Sequence, residues 1–167
     1  MEWMSVDLGN CPLIRALDVV GKQWTIIVLR EAFNGVRRFE DFQHHLGLSR
    51  SVLSRRLAEM VTDGLLERVP YRPDGERERH EYQPTDKAWA LYPVMVGLMQ
   101  WGDRYLADGD AEPVRLVDRH SGKAVVAALV TDDTATCAPA DVGVRPGRSF
   151  KTVPAAPSDH GACGDGR

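Results

Sequence analysis

The sequence predicts an α+β fold, and three observations carry that prediction. Apolar residues recur at helical spacing in short segments between Leu13 and Val61, three of them around one core, and the last two are separated only by a few residues at Gly47. Two strand-like runs, "LLERVPYR" and "RHEYQP", follow at once on either side of a charged tip, "PDGERE". A further helical pattern rich in Trp and Met then extends from Thr85 to Asp108.

Each element has its own local signals. After a loose arm over residues 1–10, "CPLIRALDVV" places Leu13, Ile14, Leu17 and Val20 at helical spacing, with Pro12 in the first turn and Gly21 closing the helix. "KQWTIIVLREAF" carries Trp24, Ile27, Val28 and Leu29 around much of its circumference, which marks it as the central buried helix. Asn34 and Gly35 end it, and the following "VRR" reads as a short strand. "FEDFQHHLGL" supplies Phe39, Phe42 and Leu46 to a short helix broken at Gly47. From Ser49 onward, Leu53, Leu57, Met60, Val61 and Gly64 fall in one arc, whereas Ser51, Ser54, Arg55 and Ala58 fall outside it. Ser49 is placed to cap this helix and Gly64 to take a left-handed conformation behind it. Two helices joined by a tight glycine turn form a helix-turn-helix, and a hairpin directly after the second helix forms a wing.

Composition bounds the rest. A chain of 167 residues has room for one compact domain with extensions. The reading is an arm over 1–10, a winged domain with N- and C-terminal dimerisation helices over 11–108, a small β-rich extension over 109–145 and a disordered Pro/Gly/Ala-rich tail over 146–167. Within the extension, "VRLVDRHSGKAVVAALVTDD" suggests two strands around "HSGK". Cys11, Cys137 and Cys163 lie far apart without a Cys-x-x-Cys pair, against both a disulfide framework and a structural zinc site. The acidic start "MEWMSVDLGN" and the lack of a long apolar run predict a cytoplasmic, nucleoid-associated protein without a membrane span. A formal net charge of -3 does not advertise a nucleic-acid binder, so any contact with DNA must come from local clusters.

One such cluster exists. No acidic residue occurs from Arg50 to Arg56, so the first two turns of the helix behind Ser49 carry unopposed positive charge among small hydroxyls, a combination suited to phosphates and base edges. Ser51 and Arg55 are assigned to base edges, and Arg50, Ser54 and Arg56 to phosphates. Arg56 also borders the apolar arc, where its stem could pack instead. Arg37 and Arg38 are candidates for phosphate or plain surface. Arg77 and Arg79 in the wing are candidates for the minor groove or the backbone, in a field diluted by Glu76, Glu78 and Glu81. His44 and His45 are adjacent on a helix and point about 100° apart, poor geometry for one metal ion, so both read as surface. His160 and Cys163 have metal-like spacing but stand alone in a glycine-rich tail. No Gly-rich phosphate loop, Gly-x-Ser-x-Gly elbow or His-rich metal motif supports an enzyme, and no cofactor is expected.

Several stretches together resemble the HxlR-type transcriptional regulators, a MarR-like branch of the winged helix-turn-helix proteins. They are "CP" at Cys11, "ALDVVG" from Ala16, "WTIIVLRE" from Trp24, "RRF" from Arg37, "LSRSVLSRRLAEMVTDGLLER" from Leu48 and "YPVMVGLMQWGDR" from Tyr92. The resemblance implies a homodimer in which the first and last helices pair and two recognition helices meet adjacent major grooves of a palindromic operator, about 34–36 Å apart. It also implies that Cys11 serves as an electrophile or oxidant sensor, as a cysteine there does in some members. Thiols at helix N-termini carry more thiolate, which agrees, while a small buried residue at the dimer seam is the plainer role. Departures are "GKQW", where Gly-Gly-Lys-Trp is usual, and "QPTDKA" at the end of the wing. The resulting reading is a DNA-binding regulator, a repressor released by an electrophile or oxidant at Cys11 or by a small ligand. Trp89, Met95 and Trp101 would line a pocket for such a ligand, or else a packed seam. The alternative is a winged protein-interaction module with weak or no DNA binding, which the acidic net charge favours.

Overall fold

The computed structural model describes Met4 and residues 6–72, 78–106, 114, 116–118 and 122–131, with the backbone of 136–137. A single 3-10 turn, Leu8–Asn10, leads into α1 (Pro12–Val20), α2 (Gln23–Phe33), α3 (Phe39–Leu46) and α4 (Arg50–Thr62). Strands β1 (Leu66–Tyr71) and β2 (Arg79–Pro84) pair antiparallel, with Leu66 opposite Pro84 and Tyr71 opposite Arg79. Helices α5 (Asp86–Trp89) and α6 (Tyr92–Leu106) follow, then the short strands β3 (Leu129–Val130) and β4 (Thr136–Cys137).

The core lies where α2, α3, α4 and the base of the wing converge. Val28, Leu29 and Ala32 of α2 meet Phe42 of α3, Leu53, Leu57 and Met60 of α4, and Leu65, Leu66 and Ala88. Each large side chain fully buried there contributes roughly 1.5–3 kcal/mol, so the apolar stripe of α4 fixes which of its faces is left for solvent. Pro12 stands at the start of α1 and Gly21 at its end. Gly47 ends α3 at φ +63°, where a Cβ is strained, and this reverses the chain into Ser49 within two residues. Gly64 takes φ +69°, and the Leu65 N–H reaches back to the Met60 carbonyl at 2.9 Å, closing α4 in the left-handed manner anticipated for that glycine.

Three elements depart from the sequence reading. "VRR" forms no strand; its Arg37 carbonyl accepts one bond from the Tyr82 N–H of β2 at 2.8 Å, too little to make a ladder. Trp24 and Ile27 are only half-buried, because the face of α2 that turns inward carries Thr25, Val28, Leu29, Glu31 and Ala32. The pattern from Thr85 to Asp108 is not one helix: α5 ends at Trp89 and α6 restarts at Tyr92. Pro93 explains the break, since in a continuous helix its ring would strike the carbonyl four residues earlier and its missing N–H would leave that carbonyl unpaired.

Beyond α6 the described residues pair sparsely. Val117 bridges Ala124 antiparallel, and the Val125 N–H donates to the Leu116 carbonyl at 2.9 Å, on either side of the turn. The Gln100 amide of α6 holds this segment at two points, donating to the Val125 carbonyl at 2.8 Å and accepting from the Ala127 N–H at 2.9 Å. Residues 138–167, including the tail with His160 and Cys163, lie outside the described residues.

Candidate nucleic-acid interface

Ser49 stands at the N-cap of α4, its Oγ accepting from the Val52 N–H at 3.4 Å and lying 3.3 Å from the Ser51 hydroxyl. Inward, Leu53, Arg56, Leu57 and Met60 are buried; outward, Arg50, Ser51, Ser54, Arg55 and Ala58 are exposed. The exposed strip therefore carries two cations, two hydroxyls and a methyl with no carboxylate among them. Two arginines flanking it are stacked on rings. The Arg50 guanidinium lies 5.1 Å from the centre of Phe39, and that of Arg38 lies 5.0 Å from the centre of Tyr71. Stacking engages the face of a guanidinium and leaves its N–H edge available.

Two other arginines assigned to phosphate are occupied elsewhere. Arg56 is 8% exposed; Nη1 donates to the Glu59 carboxylate and the buried Nε has no partner. Helical geometry puts it on the arc of Leu53, Leu57 and Met60, so the phosphate role expected of it is corrected to a packing one. Arg37 is half-buried and donates from Nη1 to the carbonyls of Ala32 and, at 3.2 Å, Val36, closing the end of α2. Arg79 is exposed at the start of β2, whereas Arg77 in the wing tip lies outside the described residues.

Periodicity missed two polar links. Glu31, buried at the end of α2, accepts from Arg30 Nε at 2.7 Å and pairs with Nδ1 of His45 on α3. His45 is exposed, as its position suggested, yet it also ties two helices together. Lys22 Nζ meets the Glu59 carboxylate at 3.0 Å, linking the entrance of α2 to α4. This hydrogen bond holds the Glu59 carboxyl below the usual glutamate range, against partial desolvation, and the charges of Arg56, Lys22 and Arg55 add to it. The adjacency of basic and acidic residues at 22, 56 and 59 was visible, but not that they converge.

Cys11 is a free, half-buried thiol at the N-cap of α1. The three residues proposed to line a ligand pocket do not form one cluster. Trp89 stacks with Phe33 at 4.4 Å and Tyr92 at 5.8 Å, Trp101 sits on Tyr105 at 5.8 Å, and Met95 is buried. Much of α1 and α6 is apolar and uncovered: Leu13, Ile14 and Leu17 on the first, Val94, Leu98, Trp101 and Tyr105 on the second. Among the described residues, no group of three His, Cys, Asp or Glu could hold a metal ion, and no helix is long and apolar enough to cross a membrane.

Residues 19–110, from the end of α1 to just beyond α6, match the HxlR-like helix-turn-helix family. The chain belongs to that family. Among its HxlR-like relatives, the uncharacterized HTH-type transcriptional regulator Rv3095 of Mycobacterium tuberculosis is 42% identical over 132 residues, covering 71% of this chain and 82% of that one. The crystal structure of PA1607, described as a candidate transcription factor, superposes with a TM-score of 0.73 at 38% identity, over 83% of this chain and 96% of that one. The redox regulator HypR in its oxidized form is similar at a TM-score of 0.52 and 27% identity, over 59% of this chain and 99% of its own. The chain is thus an HTH-type, DNA-binding transcriptional regulator with a winged fold, and its named relatives are regulators rather than enzymes.

Proposed function

We propose that this HxlR-like protein is a repressor that binds a palindromic operator as a homodimer and is released when an electrophile or oxidant modifies Cys11. The observation that carries the DNA-contact assignment is the acid-free, exposed strip of α4, with Ser51 and Arg55 at base edges and Ser49, Arg50 and Ser54 on phosphates. Arg38 and Arg79 extend the contact along the backbone beside it. Homodimerisation is supported by the uncovered apolar faces of α1 and α6, which a two-fold axis would bury against their own copies. The effector reading rests on the free thiol at the head of α1 and on likeness to HypR, a named redox regulator.

Sequencing the genomic fragments retained by the purified protein identifies the operator. A reporter under that operator then reads the sign of regulation: expression rises on deletion of the regulator if it represses. Treatment with diamide or methylglyoxal is expected to release wild-type protein from that fragment and to leave Cys11→Ser bound. Equal release of both removes Cys11 as the switch.

A further inference from the structure

We propose that Tyr71 is a positioning residue for DNA binding, whose ring holds the Arg38 guanidinium ready for a backbone phosphate at the foot of the wing. The inference rests on the DNA-contact reading above and adds to it a residue that touches no DNA itself. Arg38 is exposed, caps α3 without a side-chain hydrogen bond, and lies 5.0 Å from the Tyr71 ring centre. Both halves of the stack sit on fixed backbone. The Arg37 carbonyl is bonded to the Tyr82 N–H at 2.8 Å, the Arg38 carbonyl accepts from the Phe42 N–H at 3.1 Å, and Tyr71 is paired opposite Arg79. The next residue, Phe39, carries the Arg50 guanidinium in the same way, so the dipeptide Arg38–Phe39 joins the wing to the recognition helix.

The chemistry separates these arginines from their neighbours. Arg37 and Arg56 spend N–H donors on carbonyls and a carboxylate, whereas a stacked arginine gives up rotamer freedom before binding and keeps its donor edge for an anion. An unstacked, exposed arginine would lose that freedom on contact, weakening the same hydrogen bonds.

Because a phosphate contact is independent of sequence, the probe is a duplex of random sequence, titrated by anisotropy over a range of salt. Arg38→Ala and Tyr71→Leu are each expected to weaken binding several-fold and to flatten the slope of log affinity against log salt, by up to about 0.9 for one contact per protomer. The double variant should bind no worse than Arg38→Ala, and Tyr71→Phe, which keeps the ring, should behave as wild type. Thermal melts accompany each variant, and Tyr71→Thr, a strand former without a ring, replaces the leucine variant if that one fails to fold. Wild-type affinity in the ringless variant, or a loss that persists undiminished when Arg38 is already alanine, overturns the proposal. Wild-type protein without salt-dependent affinity removes the DNA-contact reading and this inference together, whereas normal wild-type binding with an uncoupled Tyr71 removes the inference alone.

Discussion

Arg55 and Arg56 are consecutive, yet a helix rotates about 100° per residue, and that rotation carries one to solvent and the other onto the core. Their substitutions should therefore fail differently. Arg55→Ala is expected to cost about 1–3 kcal/mol of discrimination between the operator and random duplex with the fold intact, read by competition binding. Arg56→Met, which fills the same space without the charge, should keep both melting temperature and the salt dependence of DNA binding, since a buried ion pair replaced by apolar bulk is often neutral. Loss of salt slope in that methionine variant would restore Arg56 to the phosphate-binding set. Glu59 gives a pH signature. Its folded carboxyl titrates below its unfolded one, so its contribution is complete above the ordinary glutamate range and is lost as pH falls through the lowered folded value. Urea melts against pH should show a shallower acid limb for Glu59→Gln than for wild type, with the difference shrinking in high salt because Lys22 is exposed.

Elements were legible wherever a period and a stop signal coincided. Gly47, Ser49 and Gly64 bracket α3 and α4 in the sequence as they do in the fold, because the left-handed glycines and the hydroxyl cap act over one turn of chain. Gly47→Ala should accordingly destabilise the protein by about 1–2 kcal/mol, measured by chemical denaturation, as the cost of forcing a Cβ into that conformation. Where competition was tertiary, the sequence was silent or misleading. The apolar period runs unbroken through Pro93, so only the proline's sterics divide α5 from α6. Val36 and Arg37 have strand-like composition but a single bond to β2, and composition does not reveal how many partners a segment will find. The pairing of His45 with Glu31 spans fourteen positions and leaves no periodic trace. The exposed strip of α4 was readable because burial of its opposite face follows from spacing alone. The stacking of Arg38 on Tyr71 was not, because it depends on how the wing folds back.

At the scale of the molecule, the exposed apolar faces of α1 and α6 decide what the protomer can do alone. Val94, Leu98, Trp101 and Tyr105 recur at helical spacing along one side of α6, and Leu98 and Trp101 are each more than half exposed. A second copy seated there would cover side chains that are otherwise costly to leave in water, and it would fix two α4 helices on one duplex. Leu17→Glu and Leu98→Glu place a charge in that seam while leaving the buried core of Val28, Phe42, Leu53 and Leu57 untouched. Each is expected to sediment as a monomer that melts cooperatively, and the consequence for DNA follows from counting contacts. A monomer offers one α4 strip and one set of stacked arginines in place of two, so the slope of log affinity on log salt should fall to roughly half that of wild type. Affinity for a single half-site should change little, whereas affinity for the full palindrome should collapse toward it, because the second contact is no longer tethered at high effective concentration. A variant that remains dimeric with an unchanged slope would show that α1 and α6 are covered by something other than a second copy. A monomer that retains full palindrome affinity would show that each protomer reads DNA on its own.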